Sequence, residues 1–204
     1  GKTMRKIFFT IIAAVVFLPL RAQTVSFARG ADVSWCTEME ADGMRFYDAD
    51  KNETDIFALM KNIGMTAIRL RVWVDPTHYG YGPWSDKADV IAKAGRAHEQ
   101  GLDLLIDFHY SDYFADPGRQ TKPASWSEMS FDELKAAVDA HTTDVLQALK
   151  NEGIEPKWVQ VGNETTSGMV WHNTGTYGTK VTSNGAFTIY GQPSAALLVF
   201  GNAG

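Results

Sequence analysis

Between residues 28 and 164 the spacing of apolar positions changes period repeatedly, and each change marks an element. Ala28 to Trp35 reads as a strand, and an acidic, turn-rich stretch follows it. Over Asp55–Ile63 the apolar residues Ile56, Leu59, Met60 and Ile63 recur at helical spacing, and Gly64 stands where a helix stops. From Ala67 to Val74 the pattern alternates, with Ile68, Leu70, Val72 and Val74 against Arg69, Arg71 and Trp73, as in a strand with two distinct faces. A second helix is predicted from Asp86 to Gln100, closed by Gly101. Asp103 to Tyr110 alternates again, Leu104, Ile106 and Phe108 opposing Leu105, Asp107 and His109. Ser130 and Glu133 have capping-box spacing and open a third helix, with Leu134, Val138, His141, Val145 and Leu149 as its stripe and Gly153 as its stop. Trp158 to Glu164 is the fourth strand.

Strands alternating with helices through short returns imply βαβ units and a parallel sheet. The polar residues gather at the strand C-terminal ends: Asp32 and Ser34, Arg71 and Trp73, His109, Asn163 and Glu164. That is the end where a (β/α)8 TIM barrel collects its chemistry. A doubly wound sheet also binds ligands there, but no glycine-rich phosphate loop is present to favour it. Four strands do not close an eight-stranded barrel, so residues 23–172 are read as the N-terminal half of one. Residues 173–204 form a Gly-, Thr- and Ser-rich tail of weak periodicity, with Ala195–Phe200 a short apolar run. This tail reads either as the end of a fragment or as a segment out of the barrel's register, for instance through a shifted reading frame.

The N-terminus changes the picture of where the protein works. Arg5 and Lys6 precede an apolar run from Ile7 to Leu20, too short to span a bilayer, and the expected cut follows Ala22. Residues 1–22 are thus read as a signal peptide, with Met4 as the start, and the protein as secreted, periplasmic or in the cell envelope. The removed piece holds four of the 19 Lys and Arg and none of the 24 Asp and Glu, leaving a mature chain near −9. No basic patch stands out, which argues against nucleic acid and anionic membrane as partners. Cys36 is the only cysteine, so a Cys-based metal site and an intramolecular disulfide are excluded, and nothing calls for a cofactor. Six Trp suit a protein that stacks flat, partly apolar ligands such as sugars.

Asn163-Glu164 closing an apolar strand is the sharpest chemical signal. A glycosidase needs a rigidly held, protonatable carboxyl beside the glycosidic oxygen, and a neighbouring amide can bond the sugar 2-hydroxyl. Alone, the dipeptide is equally a solvated strand end. Six ordered blocks supply its context: G-A-D-V-S-W at 30–35, I-R-L-R-V-W-V at 68–74, I-D-F-H-Y-S-D at 106–112, A-D-P-G at 115–118, W-V-Q-V-G-N-E at 158–164 and G-M-V-W at 168–171. Together they resemble the family 53 endo-β-1,4-galactanases, within the clan of retaining (β/α)8 glycosidases. The resemblance implies Glu164 as acid/base, Asn163 beside it, and Arg71 near the nucleophile carboxylate, favouring its ionised form. It also implies His109 and Asp112 as residues of the cleft, with β-1,4-galactan or arabinogalactan as substrate.

Several positions have a second reading. His109 is also readable as a core histidine, and Arg69 as structural, with Asp107 open to pairing with an arginine inside the barrel. Trp73, Trp126 and Trp171 are candidate sugar platforms that also suit a core, and Asp32 divides evenly between the two. The strand-seven nucleophile glutamate of the clan has no counterpart, because no Asp or Glu occurs after Glu164. His172 stands where the family usually has proline. The expectation is therefore a chain that does not turn over alone, the competing reading being a noncatalytic sugar-binding half-barrel. A mannanase or xylanase of the same clan shares Asn-Glu but not the blocks at 30–35, 68–74 and 106–112.

Overall fold

The computed structural model describes residues 27–165 and 168–170. The expectations for the signal peptide, Trp171 and the tail lie outside the described residues. Four strands, β1 (Gly30–Asp32), β4 (Ala67–Val72), β5 (Asp103–Phe108) and β6 (Trp158–Val161), form one sheet in the order β1-β4-β5-β6, every pair parallel. Each new strand is laid beside the previous one of the sheet, as in the winding of a (β/α)8 barrel. The described residues make four of its strands.

Why the chain folds this way is visible on β4 and β5. Ile68, Leu70 and Val72 on β4, with Leu104, Ile106 and Phe108 on β5, are all buried in one cluster with the helices. Helix α2 (Ile56–Asn62) contributes Ile56 and Phe57, α3 (Lys87–Glu99) contributes Val90, Ala94 and Ala97, and α4 (Phe131–Asn151) contributes Leu134, Val145 and Leu149. Burying such a side chain contributes about 1.5–3 kcal/mol, so the period-two pattern dictates which sheet face the helices cover. The opposite face presents Asp32, Arg69 and Leu105 in register with Trp158, and one layer further along Arg71, Asp107 and Gln160.

Helix boundaries follow local chemistry. Asp55 accepts from Phe57 and Ala58 N–H at 2.7 and 3.1 Å, Asp86 accepts from Asp89 N–H at 2.8 Å, and Ser130 with Glu133 forms a complete capping box. At the other ends Met65, Leu102 and Ile154 N–H each bond the carbonyl five residues back, around Gly64, Gly101 and Gly153 at positive φ. These are Schellman closures, which glycine permits without steric penalty.

Two features depart from the expected pattern. The acidic stretch after β1 contains a short helix, α1 (Cys36–Ala41), and a two-stranded antiparallel pair, β2 (Phe46–Tyr47) with β3 (Glu53–Thr54). Here the Asp48 carboxylate accepts from Asp50 and Asn52 N–H at 2.9 and 2.8 Å, a side-chain turn that no hydrophobic period reveals. Strand pairing is also shorter than the alternation, ending at Asp32 rather than Trp35 and at Val161 rather than Glu164. Among the described residues no helix is long and apolar enough to cross a membrane.

Candidate active site

The C-terminal ends of β4, β5 and β6 are joined by a closed circuit of polar contacts. Arg69 Nη2 donates to Asn163 Oδ1 at 2.8 Å and to the buried Asp107 carboxylate. The same Asp107 oxygen lies 3.0 Å from His109 Nε2. His109 Nδ1 accepts from Ala115 N–H at 3.0 Å, which puts the ring proton on Nε2, facing Asp107. The Ala115 carbonyl accepts from Asn163 Nδ2 at 2.7 Å, and the circuit returns to its start. Arg69 Nη1 also donates to Asp32 at 2.9 Å, adding the end of β1. The A-D-P-G block thus has a physical role, since its first residue wedges between His109 and Asn163.

Gln120, not anticipated from the sequence, completes this frame. It is buried, and its Nε2 donates to the carbonyls of Asn163 at 2.7 Å and Asp116 at 3.1 Å, tying the loop after β5 to the end of β6. Glu164 follows directly. It is exposed, at φ +50, and its side chain makes no hydrogen bond or ion pair among the described residues. The backbone that presents it is held firmly while the carboxyl itself stands open.

Beside this circuit Arg71 is buried and forms no salt bridge among the described residues. Among the described residues its Nε and Nη2 have no hydrogen-bond partner, and its guanidinium lies 4.0, 4.9 and 4.7 Å from the Trp35, Trp73 and Phe114 rings. Burial draws its pKa down to about 10. A second frame sets its height. The buried Lys93 of α3 pairs with Asp89 at 2.6 Å and donates to the Ser34 carbonyl at 2.8 Å, while Ser34 Oγ accepts the Arg71 backbone N–H at 2.9 Å. Asp89 accepts Ser85 N–H at 2.6 Å, and the Ser85 carbonyl accepts from Trp73 N–H at 2.8 Å.

Two expectations, for Trp73 and Asp112, are corrected, and Trp126 takes the core reading it was also given. Trp73 is only 1% exposed and lies among Trp35, Tyr113, Phe114 and His109, so it offers no face for a sugar to stack on. Trp126 is likewise core, edge-on to His141. Asp112 is not a group facing the cleft: it is buried and accepts backbone N–H from Asp75 at 3.0 Å and Ala124 at 2.8 Å, stapling two loops, while burial raises its pKa. His109 is near the centre, but its Nδ1 is engaged with Ala115 and its Nε2 faces Asp107, so it orients the frame. Arg69, read as structural, ties the end of its own strand β4 to those of β1, β5 and β6. Glu164, Asn163, His109, Asp32 and Arg71 are all placed at this end of the sheet; Trp171 lies outside the described residues. No group of three or more His, Cys, Asp or Glu able to hold a metal occurs among the described residues.

Comparison with known proteins places this arrangement. Glycosyl hydrolase family 53 matches residues 28–188. The endo-β-1,4-galactanase of Bacillus subtilis is 39% identical over 146 residues, covering 70% of this chain and 34% of the relative. The arabinogalactan endo-β-1,4-galactanase of Cellvibrio japonicus is 39% identical over 145 residues, covering 71% and 38%. The solved GH53 catalytic domain of Ignisphaera aggregans superposes with a TM-score of 0.68 at 37% identity, covering 77% of this chain and 45% of that one. The chain therefore spans well under half the length of these relatives, and it belongs to glycosyl hydrolase family 53.

Proposed function

We propose that the chain forms the acid/base half of a retaining endo-β-1,4-galactanase acting on galactan or arabinogalactan. Glu164 protonates the leaving glycosidic oxygen, and after attack at the anomeric carbon it takes the proton of the incoming water. Asn163, fixed by Arg69 and Ala115, sets the position of Glu164. Arg71 is the cation on which a nucleophile carboxylate rests, and that carboxylate comes from barrel strands beyond those described. One observation supports the reading above others: an exposed Glu164, unpaired among the described residues, on a backbone locked by the Arg69–Asn163–Ala115–His109–Asp107 circuit.

Retaining chemistry needs two carboxyls about 5–5.5 Å apart, and the sequence has no Asp or Glu after Glu164. The 204 residues alone therefore release no reducing ends from β-1,4-galactan, whereas the chain continued in frame by the second half of a family barrel does. In that longer protein Glu164→Gln lowers kcat on the polymer by about 10²–10⁴-fold. Galactan cleavage by the 204-residue chain, or an unimpaired Glu164→Gln variant, overturns the assignment. A second reading, a noncatalytic galactan-binding module, predicts binding without turnover in the longer protein. The basic pair Arg5 and Lys6 ahead of Ile7–Leu20 supports export with removal of residues 1–22, checked by N-terminal sequencing of the exported protein.

A further inference from the structure

A continuous row of aromatic rings begins over Arg71 and leads away from it across the loops at the strand C-terminal ends. Trp35 follows β1, and its ring centroid is 6.0 Å from that of Trp73, which follows β4. Trp73 is 5.0 Å from Tyr113 in the loop after β5, and Tyr113 stacks on Tyr81, centroids 4.8 Å apart and planes within 13°. The middle of the row is closed, since Trp73 is buried. Its two ends are open, Trp35 at 37% and Tyr81 at 47% exposed.

The rings are packed in place. The Arg71 guanidinium lies 4.0 Å from the Trp35 ring, Arg119 lies 5.5 Å from that of Tyr113, and Tyr113 in turn backs Tyr81. In the loop bearing Tyr81, Gly80 adopts φ +76, and a Cβ at Gly82 would stand 2.4 Å from Trp84 Nε1, so glycine lets that indole close on the backbone. Rings fixed in advance bind a flat partner without the entropy of ordering them. An exposed aromatic so restrained presents a flat apolar face suited to the C–H face of a pyranose. In an acidic chain such a face favours a neutral sugar over an anionic one.

We propose that Trp35, beside Arg71, and the Tyr81–Tyr113 stack, leading away from it, form a carbohydrate subsite that binds neutral β-linked pyranose units. The inference rests on the galactanase reading for the identity of the polymer and on geometry alone for the site. Binding requires no second carboxylate, so the 204-residue chain itself is tested by electrophoresis through gels containing β-1,4-galactan, β-1,4-xylan or no polysaccharide. Galactan retards the chain, Tyr81→Ala and Trp35→Ala each weaken retardation about three- to tenfold, and Tyr81→Phe retains it. Far-UV circular dichroism melts show that the variants remain folded. Retardation of Tyr81→Ala and Trp35→Ala equal to that of the unsubstituted chain overturns the subsite, as does a chain that no polysaccharide retards. Retardation by xylan alone, lost in Tyr81→Ala, upholds the subsite and overturns the galactan assignment.

Discussion

Arg69 and Arg71 leave the same face of β4 two positions apart, and their surroundings are opposite. Arg69 satisfies Asp32, Asp107 and Asn163, whereas Arg71 is buried with two guanidinium nitrogens unpartnered among the described residues. Arg69→Ala leaves Asp107 as a buried carboxylate without its cation and lowers stability by about 3 kcal/mol, the lower end for a broken buried pair because Arg69 is itself partly exposed. Arg71→Met removes unmet polar groups while keeping volume, and its stability stays the same or rises by about 1 kcal/mol. Urea denaturation of both variants checks the contrast, and equal destabilisation would refute it. The alternation of β4 made the shared face legible from sequence. It did not rank the two arginines, because spacing along a strand says nothing of how far a long side chain reaches back across the sheet. Gln120 was invisible for a related reason: its bonds to Asn163 and Asp116 are set by loop geometry, not by any residue pattern.

The four major strands and three long helices were readable because each buries a face of fixed period and each helix has a side-chain cap and a glycine stop. Elements held by turn hydrogen bonds, α1 and the β2–β3 pair, were not, since six residues without a side-chain cap and two-residue strands carry no period. Helix α4 shows what a pattern leaves unsaid. His141 belongs to its apolar stripe and meets Phe108, Tyr110 and Trp126 edge-on, its Nε2 without a partner among the described residues. Burial depresses its pKa to about 4, against roughly 6.5 in the unfolded chain. Between these values the unfolded state binds the proton and the folded state does not. The stability associated with neutral His141 is therefore complete above about pH 6.5 and is lost as pH falls through about 4. His141→Phe removes this dependence. The difference in urea midpoint between variant and parent should widen in the variant's favour on acidification, and a constant difference would contradict the assignment.

At the scale of the molecule, β1 and β6 are the outer strands of the described sheet, each with one side unpaired by any described strand. Along β6 every residue from Trp158 to Val161 is partly exposed. An unpaired parallel edge flanking half-covered apolar side chains invites association. Sedimentation velocity of the 204-residue chain should show self-association that rises with concentration and disappears when a second half-barrel is joined in frame; a cooperatively melting monomer at all concentrations would refute this. The left-handed backbone at Glu164 has a different consequence, one of inheritance. A side chain at φ +50 is disfavoured by roughly 1 kcal/mol relative to glycine, so Glu164→Gly should be more stable than Glu164→Ala by about that amount. Folding alone would favour glycine here, so under the proposed acid/base role the carboxylate is held at a cost in stability. In a lineage no longer selected for cleaving polysaccharide, position 164 is expected to drift to glycine or asparagine while β6 and its supports persist.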